Sequence, residues 1–208
     1  MIPPVAVIVA SYLAGSIPMA YIVTRIAAGK DIRSVGSGNP GATNVFRALG
    51  PKFAVPVFAF DFAKGFIPVL WVLRGGFDFS FPPTYIAIAA GAAAITGHVF
   101  PVFLRGKGGK GVATGAGVIS ALFPPIAPAC LAIFLAVLFF SRKMSLASLS
   151  AAIAVPPAYV AISLATGRTV DWILFVFFSL VSALVFARHR KNVRRLRDGT
   201  EQSLFRDS

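Results

Sequence analysis

The fold class this sequence predicts is all-α, a polytopic membrane helix bundle with seven transmembrane helices. Three observations predict it: 57% of the 208 residues are hydrophobic, only 13% are charged, and the charges stand in short clusters between long apolar runs. That composition is too apolar for an ordinary soluble domain. A hydrocarbon core of about 30 Å takes roughly 20 apolar residues per spanning helix, so the runs can be counted as spans.

Residues 2–23 contain no charge and are followed at once by Arg25, Lys30, Asp31 and Arg33. They form the first expected span. A cleaved signal peptide fits less well, because no basic residue precedes the run and Ala6, Ala10 and Ala14 suit helix packing. Residues 53–73, 85–104, 146–165 and 172–187 follow as further spans. The stretch 111–140 admits two readings: one overlong tilted helix, or two short helices turning at Pro124-Pro125, where missing amide hydrogens break the helical ladder.

The positive-inside rule decides between them. With two helices, segments 25–52, 105–110, 141–145 and 188–208 share one side, which then holds 17 of the 20 Lys and Arg residues. Arg74 and Arg168 lie opposite, and Lys64 lies within a span. With a single helix, Arg142, Lys143 and the basic tail would move outside. The expectation is therefore seven spans, amino terminus out and carboxyl terminus cytoplasmic. With no internal repeat and no long linker, residues 1–208 read as a single membrane-integral domain.

A net charge of +13 would suit nucleic acid if it lay along one soluble face, but here it is dealt out in juxtamembrane clusters. Orientation and anionic lipid headgroups account for it, so membrane lipid is an expected partner and nucleic acid is not. No obligate protein partner is inferred. The one cysteine, Cys130, stands in an apolar stretch and forms no intrachain disulfide.

The loops on the basic side carry the chemistry. Residues 36–44 read GSGNPGATN, with Arg47 one turn on if a helix begins near Asn44. Glycines let the backbone approach an anion, hydroxyls and amides add donors, and Arg47 can grip phosphate bidentately. The segment is longer than a connection of 2–8 residues needs, which favours a phosphate cradle over a plain connector. Residues 105–114, RGKGGKGVAT, run straight into the next span. A helix amino terminus there would turn free amides and a positive dipole end toward an anion, and Lys110 adds a full charge. The spacing is not that of a Walker A loop, since no Ser or Thr follows the lysine. A third segment, RHRKNVRRL at 188–196, places His189 and Asn192 three apart, hence on one helical face just beyond the last span. A basic helix end resting on lipid headgroups is the plainer reading of that segment.

Ionisable residues inside spans are functional candidates by default. Asp61 and Lys64, spaced i,i+3, suit an intrahelical pair bracing the loops, and His98 stands three residues before Pro101 near the inner end of the third span. Two histidines, one cysteine and seven scattered carboxylates offer no metal-ligand spacing, so neither metal nor cofactor is expected. A Ser-His-Asp triad cannot be assembled either: Ser37 with His189 is conceivable, but no carboxylate is placed to orient the ring.

GSGNPGATN with Arg47, KGGKGVAT at 107–114, and RHRKNVRRL followed by Gly199 and Glu201 resemble the three signature motifs of the bacterial acyl-phosphate:glycerol-3-phosphate acyltransferase family. So do Asp61-Phe62-Ala63-Lys64-Gly65 and Gly97-His98 with Pro101, and the correspondence runs in order over nearly the whole chain. The resemblance implies seven helices and transfer of a fatty acyl group from acyl phosphate to the 1-hydroxyl of glycerol 3-phosphate, giving lysophosphatidic acid and inorganic phosphate. It implies a donor phosphate hole lined by Thr43, Asn44, Gly108, Gly109, Gly111 and Val112, with Asn39 beside them. It also implies an acceptor site of Ser37, Arg47, Lys110, His189 and Asn192. Lys110, Ser37 and His189 are then the catalytic candidates, and Asp61, Lys64, His98 and Glu201 support them.

An acyl phosphate is a mixed anhydride with a good leaving group, so orientation and charge stabilisation can carry the reaction without an acyl-enzyme. Two proton acceptors stay open: the acceptor's own phosphate, in a substrate-assisted step, and His189. The competing class is a transporter or channel for a phosphorylated solute. Against it, the polar groups fall in inner-face loops, and only Asp61 and Lys64 are polar elements inside.

Overall fold

The computed structural model describes residues 3–75 and 82–204, so Ile2 of the first expected span and Gly76 of an outward connection lie outside the described residues. All the regular structure described is helical. The chain packs as two compact units, Met1–Leu122 and Phe123–Ser208.

The first unit opens with α1 (Pro4–Ser16) and α2 (Met19–Ala28). Together they make up the first expected span, with a break between them. Pro18 brings no amide hydrogen, and the residue before a proline is pushed out of helical backbone; Ile17 is extended, at φ −61° and ψ 116°. The helix also runs past Val23 to Ala28, where Gly29 takes the left-handed cap at φ +67°.

A 3-10 turn at Ile32–Ser34 leads to α3 (Ala42–Leu49), a short amphipathic helix. Its Val45 joins Ala20, Ile32, Ala54 and Val57 in a small core beneath the 36–44 loop. Then come α4 (Pro51–Arg74), α5 (Pro83–Val99) and α6 (Val112–Leu122). Backbone-to-backbone packing at glycine holds these helices together. A Cβ at Gly15 or Gly97 would strike the main chain of Ala94 or Tyr12 between α1 and α5, and one at Gly65 or Gly117 would strike Thr114 or Phe62 between α4 and α6. Lipid tails are as apolar as leucine, so helices in a bilayer gain by close approach, which small residues permit.

The second unit holds α7 (Ile126–Ser141), α8 (Met144–Ala165), α9 (Trp172–Arg188) and α10 (Arg190–Arg197). Tyr159 of α8 is its centre, edge-on to Phe123 at 4.9 Å and to Phe178 at 5.2 Å. Its hydroxyl accepts from the Asp171 amide at 3.0 Å, while the Asp171 carboxylate caps α9 through the amides of Ile173 and Leu174. Ser182 Oγ donates to the carbonyl of Ala152 at 2.7 Å, tying α9 to α8.

The helix stops at Leu122 and restarts at Ile126, so the two-helix reading of 111–140 holds and Pro124-Pro125 is its break. Among the described residues, four stretches are long and apolar enough to cross a bilayer: Pro4–Ala28, Pro51–Arg74, Pro83–Leu104 and Met144–Ala165. Taking α9 with α10, which bends away by 63°, gives a fifth, and α6 and α7 are shorter apolar helices.

Candidate active site

The 36–44 loop is built around Asn44, which is 1% exposed. Its Nδ2 donates to the carbonyls of Ile32 at 3.1 Å and Val35 at 2.9 Å, and its Oδ1 accepts from the amide of Ser37 at 3.0 Å. Gly36 and Gly38 adopt φ +55° and +70°, and a Cβ on Gly36 would press on Asn44 Oδ1 at 2.5 Å. Both amide hydrogens of Asn44 are thus spent on the loop, which makes the residue a builder of the cradle. Before the loop, Asp31 accepts from the Arg33 amide at 2.9 Å and pairs with its guanidinium at 2.7 Å. The hydrogen bond from the Arg33 side chain holds the Asp31 carboxyl below the usual carboxylate range.

Ser37 is exposed on this loop, and Asn39, Thr43 and Arg47 are partly exposed. Asn39 donates its amide weakly to Ser37 Oγ at 3.5 Å. The expected helix begins at Ala42, which places Arg47 on α3 one turn from Thr43.

The second loop lies over a buried charged cluster. Asp61, Lys64 and His98 are 3%, 6% and 7% exposed. Lys64 Nζ stands 2.7 Å from Asp61 Oδ1, as the i,i+3 spacing predicts, and it also donates to the carbonyl of Ile17 at 3.1 Å. That carbonyl belongs to the break in the first span, where it also accepts from the Met19 amide at 3.2 Å. His98 Nδ1 lies 3.6 Å from Asp61 Oδ1. The amide of Gly109 donates to the carbonyl of His98 at 3.0 Å, and a Cβ on Gly109 would collide with His98 Nε2. Gly108 is seated as tightly, against the His98 carbonyl and Pro101. Gly111 turns the chain into α6 at φ +83°, with Lys110 and Val112 partly exposed on either side.

Both loops border one cleft, lined by Ser16, Pro40, Asp61, Lys64, His98, Gly108 and Gly109. The structure therefore brings together, within the first unit, the polar residues inside the spans and the two glycine-rich segments.

In the second unit, the basic segment is not a continuation of the last span, as the sequence suggested, but the separate helix α10. His189 is the hinge residue between α9 and α10. It faces the same buried side as Asn192: they are 2% and 6% exposed, and the Asn192 amide donates to the His189 carbonyl at 2.8 Å. His189 Nδ1 lies 2.7 Å from the carbonyl of Val185. A carbonyl only accepts, so Nδ1 carries the proton and Nε2 is the basic nitrogen of the neutral ring. Glu201, 8% exposed, accepts from Ser145 Oγ at 2.6 Å, Asn192 Nδ2 at 2.7 Å and Arg195 Nε at 3.0 Å.

Ser145, Ser16 and the Ile17 carbonyl are participants that sequence reasoning missed. Serines are common in apolar helices and carry no signal of their own. Pro18 inside the first apolar run was the available sign of the break.

Residues 5–199 match the glycerol-3-phosphate acyltransferase family. The chain is 42% identical over 199 residues to the glycerol-3-phosphate acyltransferase of Syntrophomonas wolfei, covering 96% of each. Among solved structures it is similar to PlsY (YgiH), an integral membrane glycerol 3-phosphate acyltransferase. To the glycerol 3-phosphate form the TM-score is 0.84 at 37% identity, covering 96% of this chain and 94% of that one. To the lysophosphatidic acid form it is 0.81 at 34% identity, with the same coverage.

Proposed function

The chain belongs to the glycerol-3-phosphate acyltransferase family of integral membrane proteins, and from that premise we propose that it transfers a fatty acyl group from acyl phosphate to the 1-hydroxyl of glycerol 3-phosphate. The products are lysophosphatidic acid and inorganic phosphate. The observation that carries this reading is the meeting of the first loop, at Pro40, and the glycine loop, at Gly108 and Gly109, on one cleft.

The donor phosphate sits against the glycine amides of 108–111 and the start of α3 at Thr43, on a loop that Asn44 shapes. Ser37, Arg47 and Lys110 serve glycerol 3-phosphate, and the motif resemblance gives His189 and Asn192 an acceptor role as well. The acceptor hydroxyl attacks the acyl carbonyl directly. Charge develops on the carbonyl oxygen and on the departing phosphate, where Lys110 and backbone amides stabilise it. The proton passes to the acceptor's own phosphate, with His189 as the alternative base. Because the leaving group is already activated, the step needs neither a metal nor an acyl-enzyme.

Seven crossings, with the cleft facing the cytoplasm, fit this chemistry. α6 has 11 residues, about 16 Å of helix at 1.5 Å per residue, roughly half a hydrocarbon core. As a crossing it draws the glycine loop below the headgroup plane, to the depth of a lipid-borne acyl carbonyl. A low-dielectric surround there strengthens each amide-to-phosphate contact.

Lys110→Ala in purified, folded protein is expected to lower transfer about 10²–10³-fold, the order of removing one stabiliser of the transition state. Retention of full activity would remove the lysine from the mechanism. Flux of glycerol 3-phosphate into sealed vesicles without acyl transfer would establish the transporter reading instead.

A further inference from the structure

The cluster beneath the glycine loop does more than an ion pair in a span requires. Asp61 and Lys64 already stand as an ion pair at 2.7 Å. Yet Lys64 also reaches the main chain of the broken first span, and Asp61 faces Nδ1 of His98. The far edge of that imidazole fills the space where Gly109 would carry a side chain, and the His98 carbonyl holds the Gly109 amide. A chain of contacts thus runs from Ile17 through Lys64, Asp61 and His98 to the Gly108-Gly109 peptide. Ionisable groups inside a span are costly, so an arrangement of three that ends on a loop backbone calls for a purpose there.

We propose that Asp61, Lys64 and His98 form a strut that sets the height of the Gly108-Gly109 peptide and thereby positions the donor site. They line the cleft behind the loop and are positioning residues, acting on the donor site through Gly109. His98 is 7% exposed and Gly109 covers its Nε2, so the ring acts through the loop and not as an acid or base on a reacting atom. The inference rests on the acyl-phosphate reading given above and assigns the donor, not the acceptor, to the Gly108-Gly109 peptide.

The test is a separation of KM values, measured for each substrate at saturating concentration of the other, on wild type, His98→Ala, His98→Gln, Gly109→Ala and the His98→Ala/Gly109→Ala double variant. His98→Ala is expected to raise KM for palmitoyl phosphate about tenfold, a loss of about 1.4 kcal/mol in donor binding, with KM for glycerol 3-phosphate within twofold of wild type. His98→Gln, whose amide reaches toward the place of Nε2, recovers at least half of that loss. The double variant binds donor more tightly than Gly109→Ala alone, because the new methyl group occupies the space the ring has left. Unchanged KM for both substrates with only a smaller active fraction would reduce the cluster to a folding role and overturn the strut. So would a rise confined to glycerol 3-phosphate, or additive effects of the two substitutions. Wild-type turnover with both substrates is the internal control: its absence would remove the acyl-phosphate reading, whereas its presence with unmoved donor KM would remove the strut alone.

Discussion

At the scale of single residues, the 36–44 loop depends on side chains that stand behind it. Asn44 adds a second hydrogen bond to the carbonyls of Ile32 and Val35, which also accept from the amides of Val35 at 3.3 Å and Gly38 at 3.0 Å, and its Oδ1 holds the Ser37 amide; a backbone group left unpaired by its loss costs about 1–3 kcal/mol. Asn44→Ala is therefore expected to destabilise the folded protein by about 1–3 kcal/mol and to raise KM for acyl phosphate, both read on detergent-purified protein. A thermal midpoint unchanged from wild type would show that the loop holds itself. Asp31 gives a pH-dependent counterpart. Its folded-state value is lowered by Arg33, so its contribution is in place above the unfolded carboxylate range near pH 4 and is lost as pH falls through the lowered value. The pair is about one-third exposed, which limits the effect to roughly 0–1 kcal/mol. Asp31→Asn should thus melt slightly below wild type at pH 7 and together with it near pH 2. A gap that widens on acidification would contradict this sign.

At the scale of elements, α10 owes its place to one carboxylate. Glu201 accepts from α8 through Ser145 and from α10 through Asn192 and Arg195, while the Leu204 amide returns to the carbonyl of Arg142 at 2.7 Å. Removing it leaves the buried Ser145 and Asn192 donors without their acceptor, and Arg195, 39% exposed, without its carboxylate. Glu201→Ala is expected to cost about 1–3 kcal/mol for each buried donor left unpaired and to raise amide exchange in α10 while α7 and α8 keep their protection. Uniform loss of protection across all four helices would mean that the tail supports the whole unit. Most elements were legible in the sequence, because apolar runs bounded by charges give a strong signal in a membrane protein. The Pro124-Pro125 break was read for the right reason, a missing amide hydrogen. Pro18 carried the same physics and went unread, because the run around it has no charge to interrupt it. The anion-type loops were legible from glycine, serine and lysine in series. What the loops rest on was not: the contacts of His98 with Gly109 and of Ser145 with Glu201 join residues far apart in the chain, and spacing says nothing of them.

At the scale of the whole molecule, the account requires a chain threaded so that the basic loops share one side. Cys130 is the only cysteine and is partly buried, so a Cys130→Ala background permits single-cysteine labelling. With an impermeant maleimide applied to intact cells, Thr166→Cys should label from outside and Lys107→Cys only after lysis. The reverse pattern would invert the orientation, and labelling of both from outside would break the seven-span assignment. The central claim is chemical, and one measurement tests it most directly. Purified protein in lipid is given palmitoyl phosphate, with and without glycerol 3-phosphate, and inorganic phosphate and lysophosphatidic acid are followed together. The account predicts release of the two in equal amounts, and only when both substrates are present. Phosphate released at the same rate without the acceptor would contradict direct transfer and point to an acyl-enzyme, with Ser37 the first residue to examine.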